Sequence, residues 1–177
     1  MDRFDCKRNI IVNDNWELKV LYHRTPEKKF ISEFDEKLAW SNVHVDKKWI
    51  YFTDNPKFAE QFAHEQLPWS SNFTVKLGEK GHVYKSYLNM EKPLDLNTAT
   101  PEELLPFFRE DSLTKTWDKE KRLYNLEWHP QSIKFHIDMD KVEKGGYDGI
   151  IAKIWKESDW NEYIIFKWKQ AKNLWDL

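Results

Sequence analysis

The stretch that most constrains the chain is Tyr163-Ile164-Ile165-Phe166, an apolar, β-branched and aromatic run entered through Asn161 and Glu162. Residues of this kind suit the pleated interior of a buried strand, so Glu162 stands at the mouth of a core element with its carboxylate near the rim. Two readings stay open from this stretch alone. Glu162 is the reacting group of a site walled by the strand, or it is the solvated end of that strand, as most strand-end carboxylates are.

The 177 residues and 40% hydrophobic content suit one domain with a sizeable core. Aromatic residues make up 16%, ten of them Trp, which points to a stiff aromatic core or to rings lining a surface. The 28 basic and 30 acidic residues are well mixed and leave a formal charge of −2, so no broad face is built for a phosphate backbone. The one cysteine, Cys6, has no internal disulfide partner, and the start Met1-Asp2-Arg3-Phe4 lacks the apolar run of a secretory signal. No stretch reaches the roughly eighteen apolar residues of a membrane span. A soluble cytoplasmic protein is the expectation.

Residues 1–15 read as a polar arm or a short first strand around Ile10-Ile11-Val12. Trp16 to Tyr22 alternates and then turns apolar, predicting a strand that delivers His23-Arg24-Thr25 into a loop. Phe30, Ile31, Phe34 and Leu38 recur at helical spacing over 26–39. Trp49-Ile50-Tyr51-Phe52 predicts a second strand, with Thr53 or Asp54 capping a helix that starts near Pro56 and runs to about residue 66. Phe73-Thr74-Val75 is a possible short strand, and His82 to Leu88 a clear alternating one ending at Pro93. Thr100-Pro101-Glu102-Glu103 has the cap, proline and reach-back glutamate of a helix start. A helix is predicted over 131–143, stopped by Gly145-Gly146, and Tyr147 to Ala152 reads as a strand. One α+β domain is the economical architecture.

Most reactive constellations find no support. The six His are scattered, and His64-Glu65 lacks the second His of a zinc-protease helix, so no metal is expected. The Gly145–Gly149 loop precedes a strand, the reverse of the order that phosphate cradles need. Cys6 has no visible activating partner, and no nucleophile elbow anchors a serine triad.

Three local patterns remain: His23-Arg24-Thr25 at a strand end, Tyr51-Phe52 in a strand feeding a helix with Phe62 eleven residues after the Tyr, and Asn161-Glu162-Tyr163-Ile164. Together they resemble the ADP-ribosyltransferase superfamily, specifically its His-Tyr-Glu branch, which includes the poly(ADP-ribose) polymerases. There the first strand ends His-Gly-Ser/Thr, the middle strand reads Ile-Tyr-Phe, and a late strand begins Asn-Glu-Tyr-Ile. Gly146-Tyr147-Asp148-Gly149-Ile150 also looks like phage- and plasmid-associated members.

The resemblance implies a single domain over 1–177 with a split antiparallel β-sheet core and flanking helices. It implies NAD+ as co-substrate, without a metal, and transfer of ADP-ribose to an intracellular macromolecule, protein or nucleic acid, in a toxin or phage-conflict setting that can include an antitoxin. Glu162, His23 and Tyr51 would be catalytic. His23 would bind the adenosine-side ribose, Thr25 the nicotinamide amide, and Tyr51 with Phe62 would flank the nicotinamide ring. Arg24 stands where relatives have Gly and can reach the pyrophosphate through its planar donor fork. Trp160, two before Glu162, replaces the Glu or Gln with which many toxins select an arginine. It can stack on a base, dock on a protein, or pack its own loop. An NAD+ glycohydrolase using the same residues and a non-catalytic, aromatic-rich binding module are the alternatives.

Overall fold

The computed structural model describes residues 11–12, 16–25, 49–64, 82–110, 133–134, 136–153 and 159–174, with only the backbone given for Thr25 and for 61–64. These residues gather into two compact units, one formed by Met1–Glu91 and Ile164–Leu177, the other by Lys92–Tyr163. The helix expected over 26–39, the strand expected at Phe73–Val75 and the stretch 111–130 lie outside the described residues. The protein is α+β, with seven strands and short helices among the described residues.

In the first unit, β1 (Leu21–Thr25) runs between β2 (Ile50–Thr53) and β3 (His82–Leu88), and β7 (Ala171–Asn173) lies on the far side of β3. All three pairings are antiparallel. The β1–β3 register is complete, from Leu21 opposite Ser86 to Thr25 opposite His82. His23, Arg24 and Thr25 therefore belong to the strand and not to a loop after it, because β3 offers a partner to every residue of β1. The β1–β2 ladder pairs Tyr22 with Thr53. Upstream, Trp16 takes a left-handed backbone (φ 62°), Trp16 and Glu17 are bends, and Leu18 bridges Val12, so β1 starts only at Leu21 where the alternation predicted a strand from Trp16. Ile11 is held by its N–H to the Leu88 carbonyl.

The core of this unit follows the alternation of β3, in which Tyr84, Ser86 and Leu88 are fully buried. Leu21, Phe52 and Ala59 join them, and the Trp49 and Phe166 rings meet at 4.8 Å. Ser86 is tolerated inside because its hydroxyl donates to Asn173 Oδ1 at 2.8 Å, satisfying both polar groups. Helix α1 (Pro56–His64) follows β2. Its cap is Asn55, whose Oδ1 accepts the Phe58 N–H at 2.9 Å, while Thr53 Oγ1 accepts the Asn55 N–H. Asp54, one residue before the cap, pairs its carboxylate with Lys19 at 2.7 Å.

In the second unit, β4 (Pro93–Asp95) lies parallel to β5 (Gly149–Lys153), with Leu94 opposite Ile150. Pro93 opens β4 instead of closing β3, a position where a missing N–H costs no ladder bond. Beside β5 comes β6 (Asn161–Ile165), whose first three residues belong to this unit and whose last two belong to the first. Helix α2 (Pro101–Leu104) carries the predicted capping box, with Thr100 N–H on Glu103 Oε2 at 2.7 Å. It lasts one turn because Pro106 has no N–H to continue the ladder, and the chain tightens into a 3-10 turn over Leu105–Phe107. The helix expected over 131–143 is interrupted: Ile133 and Lys134 are helical, Ile137 bridges Phe108, and helix α3 (Met139–Lys144) starts afresh with Asp138 as cap, accepting the Lys141 N–H, while 131, 132 and 135 lie outside the described residues. The expected stop is in place. Gly146 takes φ +83°, and a Cβ at Gly145 would lie 2.7 Å from the Phe107 ring.

Candidate functional site

The first unit carries His23 and Tyr51. The His23 imidazole bonds across to β2: Nδ1 lies 2.8 Å from the Tyr51 carbonyl oxygen. A carbonyl only accepts, so Nδ1 carries the proton and donates it. In the neutral ring this leaves Nε2 as the acceptor, directed by the bond that Nδ1 makes. The residue keeps some surface exposure, yet the Phe52 ring at 5.3 Å and the Tyr84 ring at 6.3 Å crowd the imidazole. Burial accordingly lowers its pKa to about 4, the Tyr51 carbonyl pulling the other way and the Arg24 charge adding to the lowering. His23 is therefore uncharged at neutral pH.

Arg24 follows His23 in the strand, where successive side chains alternate between faces, and its charge acts on the imidazole. Thr25 is placed by its backbone opposite His82, and Phe62 by its backbone within α1; their side chains lie outside what is described. Tyr51 is half-buried in β2, with its hydroxyl oxygen shielded from solvent.

Glu162 and Trp160 belong to the second unit. Glu162 is the second residue of β6, and its carboxylate Oε2 is ion-paired with Lys134 Nζ, the two side chains being 19% and 12% exposed. Lys134 is a residue the motif reasoning missed. In a chain that is one-third charged, a lysine 28 positions upstream of a glutamate carries no recognisable signal. The neighbouring Asn161 is tied by its Oδ1 to Asn97 Nδ2 at 3.1 Å, and Asn97 Oδ1 accepts the Lys153 N–H at 2.8 Å. The head of β6 is thus clamped to the end of β5 through one amide side chain. Trp160, just before this clamp, is 40% exposed, which is high for a tryptophan.

The family model described as ADP-ribosyltransferase in polyvalent proteins matches residues 13–176, nearly the whole chain. The chain belongs to that family. No curated protein and no solved structure matches it. An ADP-ribosyltransferase of this family takes NAD+ as substrate. Among the described residues no group of three His, Cys, Asp or Glu is placed to hold a metal ion, and no helix is long and apolar enough to cross a membrane.

Proposed function

We propose that this ADP-ribosyltransferase cleaves the nicotinamide–ribose bond of NAD+ and passes ADP-ribose to a macromolecule, protein or nucleic acid, in the cytoplasm, as a toxin or an effector of phage conflict. The observation that carries the reading is the His23–Tyr51 hydrogen bond, which joins two of the three motif residues across 28 positions of sequence. It also supplies a neutral imidazole whose Nε2 accepts from a hydroxyl, the chemistry needed to seat a ribose. A protonated ring would offer only donors.

In the reaction, the C1′–N bond of the nicotinamide riboside breaks and nicotinamide leaves with the bonding electron pair as a neutral base. The sugar carbon becomes oxocarbenium-like, and the acceptor's lone pair forms the new bond to C1′ while its proton passes to Glu162 or to solvent. An ionised carboxylate at Glu162 opposes the developing positive charge, the kind of electrostatic term that dominates such steps. Tyr51 and Phe62 would hold the flat nicotinamide ring, Thr25 its amide, and Arg24 would contribute backbone groups. Trp160 exposes a ring where relatives select their acceptor, which favours an acceptor with a flat or apolar surface over an arginine side chain.

Labelled NAD+ incubated with the chain and a cell extract, followed by separate protease and nuclease digestion, tests the reading. Label on a macromolecule that one digestion removes is the expected result. Free ADP-ribose alone would make the protein a glycohydrolase, and no NAD+ consumption would make it a binding module. Glu162→Gln, which keeps the shape and deletes the charge, is expected to lower transfer by about 10²–10³-fold. A folded variant that labels as fast as the parent removes Glu162 from the mechanism.

A further inference from the structure

We infer that Lys134 is the positioning residue of Glu162, holding its carboxylate in the one orientation from which it acts on the nicotinamide ribose. The inference rests on the reading of Glu162 as the reacting carboxylate.

Lys134 sits in helical backbone just before a turn. Ile133 is buried, the His136 N–H bonds to the Ile133 carbonyl at 2.8 Å, and the Ile137 N–H reaches the Lys134 carbonyl at 3.3 Å. Ile137 is fully buried and bridges Phe108, so the chain is anchored on either side of Lys134 in the core of the second unit. The lysine thus projects from a rigid base. Glu162 is equally well based, on a strand whose first residue is clamped through Asn97. What the two backbones leave undetermined is the glutamate side chain, with its three rotatable bonds. The ammonium restricts it by engaging Oε2.

The pair is neither a solvated surface contact nor a sealed interior one, with 12% and 19% of the two side chains exposed. A surface pair would be screened and would orient little. Here, losing the cation leaves a half-buried carboxylate without its counter-charge, and the side chain is then expected to swing toward water. Two effects of Lys134 oppose each other. Its positive charge weakens the carboxylate's field on an oxocarbenium-like sugar, while its hydrogen bond keeps that field pointed at the reacting carbon. Misplacement of a catalytic group by about 1 Å can cost about a hundredfold in rate, so orientation is the larger effect.

The test is steady-state NAD+ cleavage by the full chain, as parent, Lys134→Met, Lys134→Arg and Glu162→Gln, each checked by thermal unfolding. Lys134→Met is expected to lower kcat by about tenfold to a hundredfold while KM for NAD+ stays within about threefold, since the group lost acts in the transition state and not in binding. Lys134→Arg, which restores a cationic donor, is expected to return kcat to within about threefold of the parent. Should Lys134→Met fail to fold, Lys134→Gln carries the same comparison. A folded Met or Gln variant with parental or faster kcat overturns the inference, and so does a loss that Arg does not rescue. If Glu162→Gln is inactive while Lys134→Met is normal, this inference alone fails. If the parent is inactive, or Glu162→Gln matches an active parent, the proposed function fails and takes this inference with it.

Discussion

His23 is uncharged at neutral pH because the rings of Phe52 and Tyr84 and the surrounding backbone exclude the water that would solvate an imidazolium. That choice of protonation state has a stability signature. The ordinary histidine pKa is 6.5 and the folded value is about 4, so between those two pH values the unfolded chain binds a proton that the folded chain refuses. Stability from this group is therefore whole above pH 6.5, falls as the pH drops toward 4, and falls no further below it. The span amounts to at most about 3 kcal/mol. Urea unfolding of the parent and of His23→Asn across that window should differ in slope, with the variant flatter; parallel profiles would show that His23 is not held neutral. At the same scale, His23, Tyr51 and Glu162 could be singled out from local patterns because each stands beside distinctive neighbours. Lys134 could not, since an ion pair formed across 28 residues depends on where two elements come to rest.

Elements were legible where their signals are short-range. Thr100 and Glu103 lie three apart and close their capping box without help from the rest of the chain, and Gly146 stops α3 because its positive φ suits glycine. Signals that depended on a competitor misled. Thr53 and Asp54 both qualify as caps by residue type, but Asp54 pairs with Lys19 and Thr53 supports Asn55, which becomes the cap itself. Asn55→Ala is therefore expected to cost about 1 kcal/mol in a denaturation experiment, against a smaller loss for Thr53→Val. Equal stability of Asn55→Ala and the parent would return the capping role to another residue. β1 runs on through Thr25 for a related reason: the alternation near Trp16 is a local cue, whereas the strand's true extent is set by β3, which begins 57 positions after Thr25 at His82.

Among the described residues each of the two units has its own buried apolar positions, and the most buried of them are predicted well by strand alternation or by the apolar run itself. Leu88 in the first unit and Ile150 in the second are fully buried. Truncation of either to Ala should cost about 2–5 kcal/mol, read from the shift in urea midpoint. A cost under about 1 kcal/mol would mean that the site collapses around the smaller side chain. Family membership was within reach of the sequence, because His23, Tyr51 and Asn161–Ile164 keep an order and spacing that local chemistry constrains, and residues 13–176 match the family as a whole. Residue type and period likewise determined the core face of β3, the capping box of α2 and the glycine stop of α3, since each involves atoms a few residues apart. Only the tertiary structure decided that His23 bonds the Tyr51 carbonyl and that Glu162 meets Lys134. Those contacts join residues whose separation along the chain says nothing of their separation in space, and they arise from strand pairing and burial that no local pattern encodes.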